Sequence, residues 1–117
     1  MTFTLRTARC AFTRALADLV VYANSISYEL AFAEGMDRIT EKDPTTDHMK
    51  GSLHEIGLAQ DIDLYINGIY MPATSDHEPL GTWWEDYGVH NGLPLVWGGN
   101  FPTPDGNHYS LRWGGKA

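Results

Sequence analysis

Apolar residues first recur at helical spacing. Phe12, Leu16, Leu19, Val20 and Ala23 share one stripe while Arg14, Asp18 and Asn24 fall off it, so residues 7–23 are predicted to form an amphipathic helix packed on a core. The period then changes from 3.6 to 2. In "SISYELAFAEG", Ile26, Tyr28, Leu30 and Phe32 alternate with Ser27, Glu29, Ala31 and Ala33, as in a half-buried strand that pairs in the central sheet. The run "MDRITEKDPTTDHMKGS" keeps no period and reads as a long loop. After it, "LAQDIDLYINGIYM" gives a second strand, a tight turn at Asn67-Gly68 where both positions need positive φ, and a short third strand. "HEPLGTWWEDYG" suits a short helix with Leu80, Trp83, Trp84 and Tyr87 clustered on one side as core. The tail is two short apolar pieces joined by a turn-rich link from Gly98 to Asn107. Together these elements predict an α+β fold, a small antiparallel sheet flanked by helices.

Composition narrows the chemistry. A chain of 117 residues with 43% hydrophobic and 20% charged positions fits one domain with a modest core. Arg6, Arg9, Arg14 and Asp18 interrupt the first residues, and nowhere do about 18 apolar residues run together, so neither a signal peptide nor membrane insertion is expected. A net charge of −7, with no local basic cluster in the sequence, argues against nucleic acid as a partner. The lone Cys10 excludes an internal disulfide and a cysteine-built zinc site; any metal must be held by His, Asp or Glu.

The second strand raises that possibility. Side chains alternate along a strand, so Ala59, Asp61 and Asp63 point one way and Leu58, Gln60, Ile62 and Leu64 the other, giving one acidic and one apolar face. Carboxylates in such a run are costly unless neutralised, and a metal ion is one means of doing so. His54 precedes the strand, and Gly57 lets the backbone fold so that the imidazole approaches Asp61; His54 and Asp61 make half of a zinc site, with a hydrogen-bonded loop histidine as the alternative. A third ligand has a candidate in "PDGNHYS", where His108 enters the last strand three residues after Asp105. A carboxylate so close to a ligand histidine is suited to general-base work without binding the metal, although Asp-Gly is also a common turn. His48, His77 and His90 lie in polar, loop-like contexts without a paired carboxylate and are not expected to be ligands.

The ordered pattern Ser52-x-His54-x-x-Gly57-x-Ala59-x-Asp61, then Trp97-Gly98-Gly99, then Asp105-x-x-His108 resembles the zinc peptidases of the D-alanyl-D-alanine carboxypeptidase group. Within that group it is most similar to the small phage L-alanyl-D-glutamate endopeptidases, the endolysins. The resemblance runs from the first helix to the last strand. It implies a hedgehog-like or D-Ala-D-Ala peptidase-like fold over residues 1–117 with the zinc site at the sheet face and no separate wall-binding module. It further implies that His54, Asp61 and His108 bind one Zn2+ and that Asp105 activates water. Arg38, in "EGMDRITEKD", is the nearest match to an arginine that holds the substrate carbonyl or carboxylate, with surface ion pairing as the alternative. Ser52 is expected to hydrogen-bond substrate or to stabilise its turn. Asp63 takes no role from the resemblance.

The activity implied by this resemblance is that of a peptidoglycan hydrolase cutting the L-alanyl-D-glutamate bond of the bacterial peptide stem. Such an enzyme would act as a monomer, made in the host cytoplasm and reaching the wall on release or as part of the virion. A D-alanyl-D-alanine carboxypeptidase or dipeptidase is the alternative enzyme. A non-catalytic, zinc-containing wall-binding domain is the alternative outside catalysis.

Overall fold

The computed structural model describes residues 3–33 and 52–117. Helix α1 spans Leu5–Ser25, beginning two residues before the predicted start because the Thr4 hydroxyl accepts the Thr7 N–H at 3.1 Å and so caps the first turn. Its inner stripe is Ala8, Phe12, Ala15, Leu16, Leu19 and Ala23, all buried. The outer face carries Arg6, Arg9 and Arg14, a local concentration of positive charge that helical winding assembles from positions separated in sequence. None of the described helices is long and apolar enough to cross a membrane.

Five strands form the sheet: β1 (Tyr28–Phe32), β2 (Ala59–Ile66), β3 (Ile69–Tyr70), β4 (Leu95–Trp97) and β5 (His108–Leu111). Their order is β1-β2-β5-β4, with β3 also paired to β2, and every pairing is antiparallel. The β2–β3 hairpin closes at the predicted dipeptide, where Asn67 and Gly68 take φ of 53° and 76°. β1 pairs in the sheet as expected, with β2 as its neighbour, but as the edge strand. Ile26 terminates α1 and Ser27 has φ of 65°, so the strand starts at Tyr28, and its edge position leaves Phe32 56% exposed.

Helix α2 (Glu78–Asn91) packs on β4 and α1, and α1 packs on β1 and β5. The core unites the inner stripe of α1 with Ile62 and Leu64 of β2, Tyr109 and Leu111 of β5, and Leu80 and Trp84 of α2. Each fully buried aliphatic side chain there contributes about 1.5–3 kcal/mol relative to exposure. Trp84 is fully enclosed, edge-on to Phe12 and Tyr109, with its indole N–H donating to the carbonyl oxygens of Val96 and Ser110. Trp83 and Tyr87, expected in the core, are half-buried: Trp83 stacks on Tyr22 at 5.2 Å and the Tyr87 hydroxyl donates to Asp18 at 2.7 Å. The long loop predicted from residue 36, with Arg38 and His48 in it, lies outside the described residues apart from Ser52.

With Ile62 and Leu64 committed to the core, alternation turns Asp61 and Asp63 to the opposite face of the sheet. That face carries the chemistry.

Candidate metal centre

Three segments bring the site together. A single 3-10 turn, Leu53–Ile56, holds His54 and ends at Gly57, whose φ of 75° reverses the chain into β2. A side chain at Gly57 would also meet the Arg9 guanidinium, with Nε 3.0 Å from the added carbon. β2 then supplies Asp61, and β5 supplies His108 directly opposite it in the antiparallel register. Cross-strand neighbours on one face lie within about 4.5–5.5 Å at Cβ, so the pairing alone sets the carboxylate beside the imidazole.

The ligand-capable atoms form a nearly regular triangle. His54 Nε2 and His108 Nδ1 are 3.3 Å apart, and each lies 3.7 Å from Asp61 Oδ1. A tetrahedral zinc ion with ligands at about 2.0–2.2 Å holds their atoms about 3.3–3.5 Å apart, so the observed edges match those of such an ion to within a few tenths of an ångström. Both histidines are buried, at 8% and 6% exposure. His54, Asp61 and His108 can therefore hold a metal ion. Two imidazoles and one carboxylate are the hard-to-borderline donors that suit zinc, and three ligands leave a fourth position open.

The loop from β4 to β5 fixes His108. Trp97 is its strut: the indole N–H donates to the Gly106 carbonyl at 2.7 Å, and the backbone N–H donates to Glu85 Oε2 at 3.0 Å. Glu85 also accepts from the Asn100 side chain, and Gly106 N–H donates to Thr74 Oγ1 at 3.1 Å, tying the loop to α2 and to the segment before it. The glycines of "WGG" are required by contact. A β-carbon on Gly98 would stand 2.3 Å from the Asp105 carbonyl oxygen and 2.7 Å from His108 Cβ, and one on Gly99 would enter the Trp97 ring. Gly98→Ala is expected to cost about 1–3 kcal/mol of stability, the usual range for overpacking, and to displace His108. Urea unfolding together with a zinc titration checks this; unchanged stability and unchanged zinc affinity would contradict it.

Asp105 is three residues upstream of His108 in the same loop. Its N–H donates to the Gly98 carbonyl at 2.9 Å, and its own carbonyl accepts the His108 N–H at 3.1 Å. The residue is exposed and its carboxylate is not one of the three grouped ligand atoms. Ser52 opens the 3-10 turn and accepts the Glu55 N–H through its carbonyl; its hydroxyl oxygen is buried with no hydrogen-bond partner among the described residues. Arg38 lies outside the described residues, so the structure neither joins it to this group nor separates it.

Two histidines depart from their expected settings. His77, predicted in a polar loop, is 1% exposed, and its Nδ1 lies 2.9 Å from the Tyr109 hydroxyl on the side of β5 away from His108. Burial lowers its pKa and pushes the Tyr109 phenol up, so the pair is a neutral, structural one. His90 is exposed as expected but sits in the last turn of α2, its Nδ1 within hydrogen-bonding distance of the Asp86 carbonyl. Neither is part of the metal group.

No family model matches the chain, and no curated protein matches it. Among solved structures the chain is similar to the crystal structure of the Serratia marcescens L-Ala D-Glu endopeptidase ChiX, with a TM-score of 0.59 and 18% identity over 85% of this chain and 79% of that one. At that identity the likeness is one of fold, and the α+β arrangement with its antiparallel sheet is common to both.

Proposed function

We propose that this chain is a zinc-dependent peptidoglycan hydrolase that cleaves the peptide stem between L-alanine and D-glutamate, with residues 1–117 forming the catalytic domain. The observation that carries the reading is the convergence of His54, Asp61 and His108 on one face of the sheet, in a fold similar to that of an endopeptidase described by the same bond. Zinc bound there supplies Lewis acidity, polarising a carbonyl and lowering the pKa of water to roughly 7. The remaining chemistry belongs to side chains. Asp105, on the loop that also carries His108, takes the proton of the attacking water at its carboxylate and returns one to the leaving amine. Ser52, which opens the turn that carries His54, is assigned to binding the substrate or a group of the site through its hydroxyl. Arg38 is assigned the oxyanion or a substrate carboxylate, where a fixed positive charge contributes most as charge develops.

Digestion of diaminopimelate-type peptidoglycan, with mass spectrometry of the fragments, tests the bond. New amino-terminal D-glutamate is the expected product. Free D-alanine would assign the chain to the D-alanyl-D-alanine carboxypeptidases instead.

A further inference from the structure

The acidic face of β2 continues past the metal group. Asp63 lies two residues beyond Asp61 on the same face, and Tyr65 two beyond that, about 7 and 13 Å along the strand. Tyr70 of β3 stands opposite Tyr65 in the register, their ring centroids 5.5 Å apart at a tilt of 44°, and Tyr70 is 51% exposed. Burial, then the charge of Asp63, raises the Tyr70 phenol pKa, as expected of a carboxylate near that ring. Asp63 is half-buried, and no described residue forms an ion pair or hydrogen bond with its carboxylate. Across the sheet, Glu29 pairs with Tyr65 and Ala31 with Asp63, so no cation from β1 neutralises the strip.

A half-buried carboxylate without a counter-ion among the described residues, next to two tyrosine rings, one of them widely exposed, favours a particular ligand. A carboxylate standing alone is repelled there and a neutral hydroxyl gains only an uncharged donor's hydrogen bond, whereas a primary ammonium gains a charge-assisted hydrogen bond and the negative faces of the rings. We infer that Asp63, Tyr65 and Tyr70 form a subsite for the side-chain ammonium of a diamino acid residue on the carboxyl side of the cleaved bond. The inference rests on the function proposed above, under which the chain lies along this face from Asp61. An extended chain advances about 3.3–3.6 Å per residue, so a diamino acid two residues past the cleaved bond, with a flexible arm, reaches Asp63 and the tyrosines.

Two measurements separate this subsite from the reading it rests on. The first is calorimetric binding of the product-like dipeptide γ-D-glutamyl-L-lysine, compared with its Nε-acetyl form, to the zinc-loaded protein. The free amine is expected to bind about tenfold more tightly, and Asp63→Asn should bring the two within about twofold of each other while leaving zinc content unchanged. Tyr70→Leu should reduce the preference without changing the fold, as read by circular dichroism. Equal binding of the two dipeptides by the unsubstituted protein, or an undiminished preference in Asp63→Asn, would overturn the subsite. The second is cleavage of L-alanyl-γ-D-glutamyl-L-lysine and its Nε-acetyl form, where the preference should appear in KM with kcat little changed. Amine-dependent binding without cleavage of either tripeptide would remove the proposed hydrolysis and leave the subsite standing; cleavage of both with equal KM would do the reverse.

Discussion

Under the proposed function, replacing His54 or His108 is expected to abolish zinc binding and, with it, hydrolysis. His54→Ala and His108→Ala each remove one of three donors from a triangle with edges of 3.3 and 3.7 Å, leaving a two-donor site open to solvent. The two substitutions should differ in their effect on the fold. His108 is paired with Asp61 across the β2–β5 ladder, so its backbone bonds survive truncation, whereas His54 sits on a single 3-10 turn that the bound ion would tie to Asp61. Because metal bound only by the native state stabilises it, chelation should lower the melting temperature of the unsubstituted protein and leave that of both variants unmoved. Metal analysis of the purified proteins checks the assignment. A full equivalent of zinc in either variant would contradict it.

The second large effect is expected at Asp105. Asp105→Asn keeps size and hydrogen-bonding capacity, and asparagine suits the turn that carries it, so the backbone bonds from Asp105 N–H to Gly98 and from His108 N–H to the Asp105 carbonyl should persist. What is lost is basicity. Hydrolysis should fall by a factor on the order of 10² to 10⁴, the range for removing a positioned acid or base, while zinc content stays at one equivalent. The same sample distinguishes three roles: a ligand would lose metal, a turn residue would keep near-normal turnover, and a general base loses rate alone.

Much of this site was legible in the sequence because it is built from local rules. Alternation along β2 fixed Asp61 on the face opposite Ile62 and Leu64, Asn67-Gly68 fixed the hairpin, and Gly57 announced the reversal that returns His54 towards the strand. The spacing of Asp105 and His108 likewise pointed to the loop that enters β5. What the sequence did not disclose depends on long-range partners. His77 reads as a polar loop residue until β5 places the Tyr109 hydroxyl beside it, and nothing in the sequence marks Glu85 as the residue on whose carboxylate the Trp97 backbone and Asn100 converge. β1 alternates like a half-buried strand, yet its edge position leaves Phe32 exposed, because one-dimensional periodicity does not tell a central strand from an edge. The basic outer face of α1 was missed for a related reason: Arg6, Arg9 and Arg14 form no run in the sequence and meet only on the folded helix.

The most direct test of a zinc-dependent hydrolase is a time course of peptidoglycan digestion in three arms: the protein as purified, the protein after chelation, and the chelated protein with zinc restored. The proposed chemistry predicts fragments with new amino-terminal D-glutamate in the first arm, none in the second, and their return in the third. Fragments that form at the same rate after chelation, or no fragments from a protein carrying one zinc per chain, would contradict it.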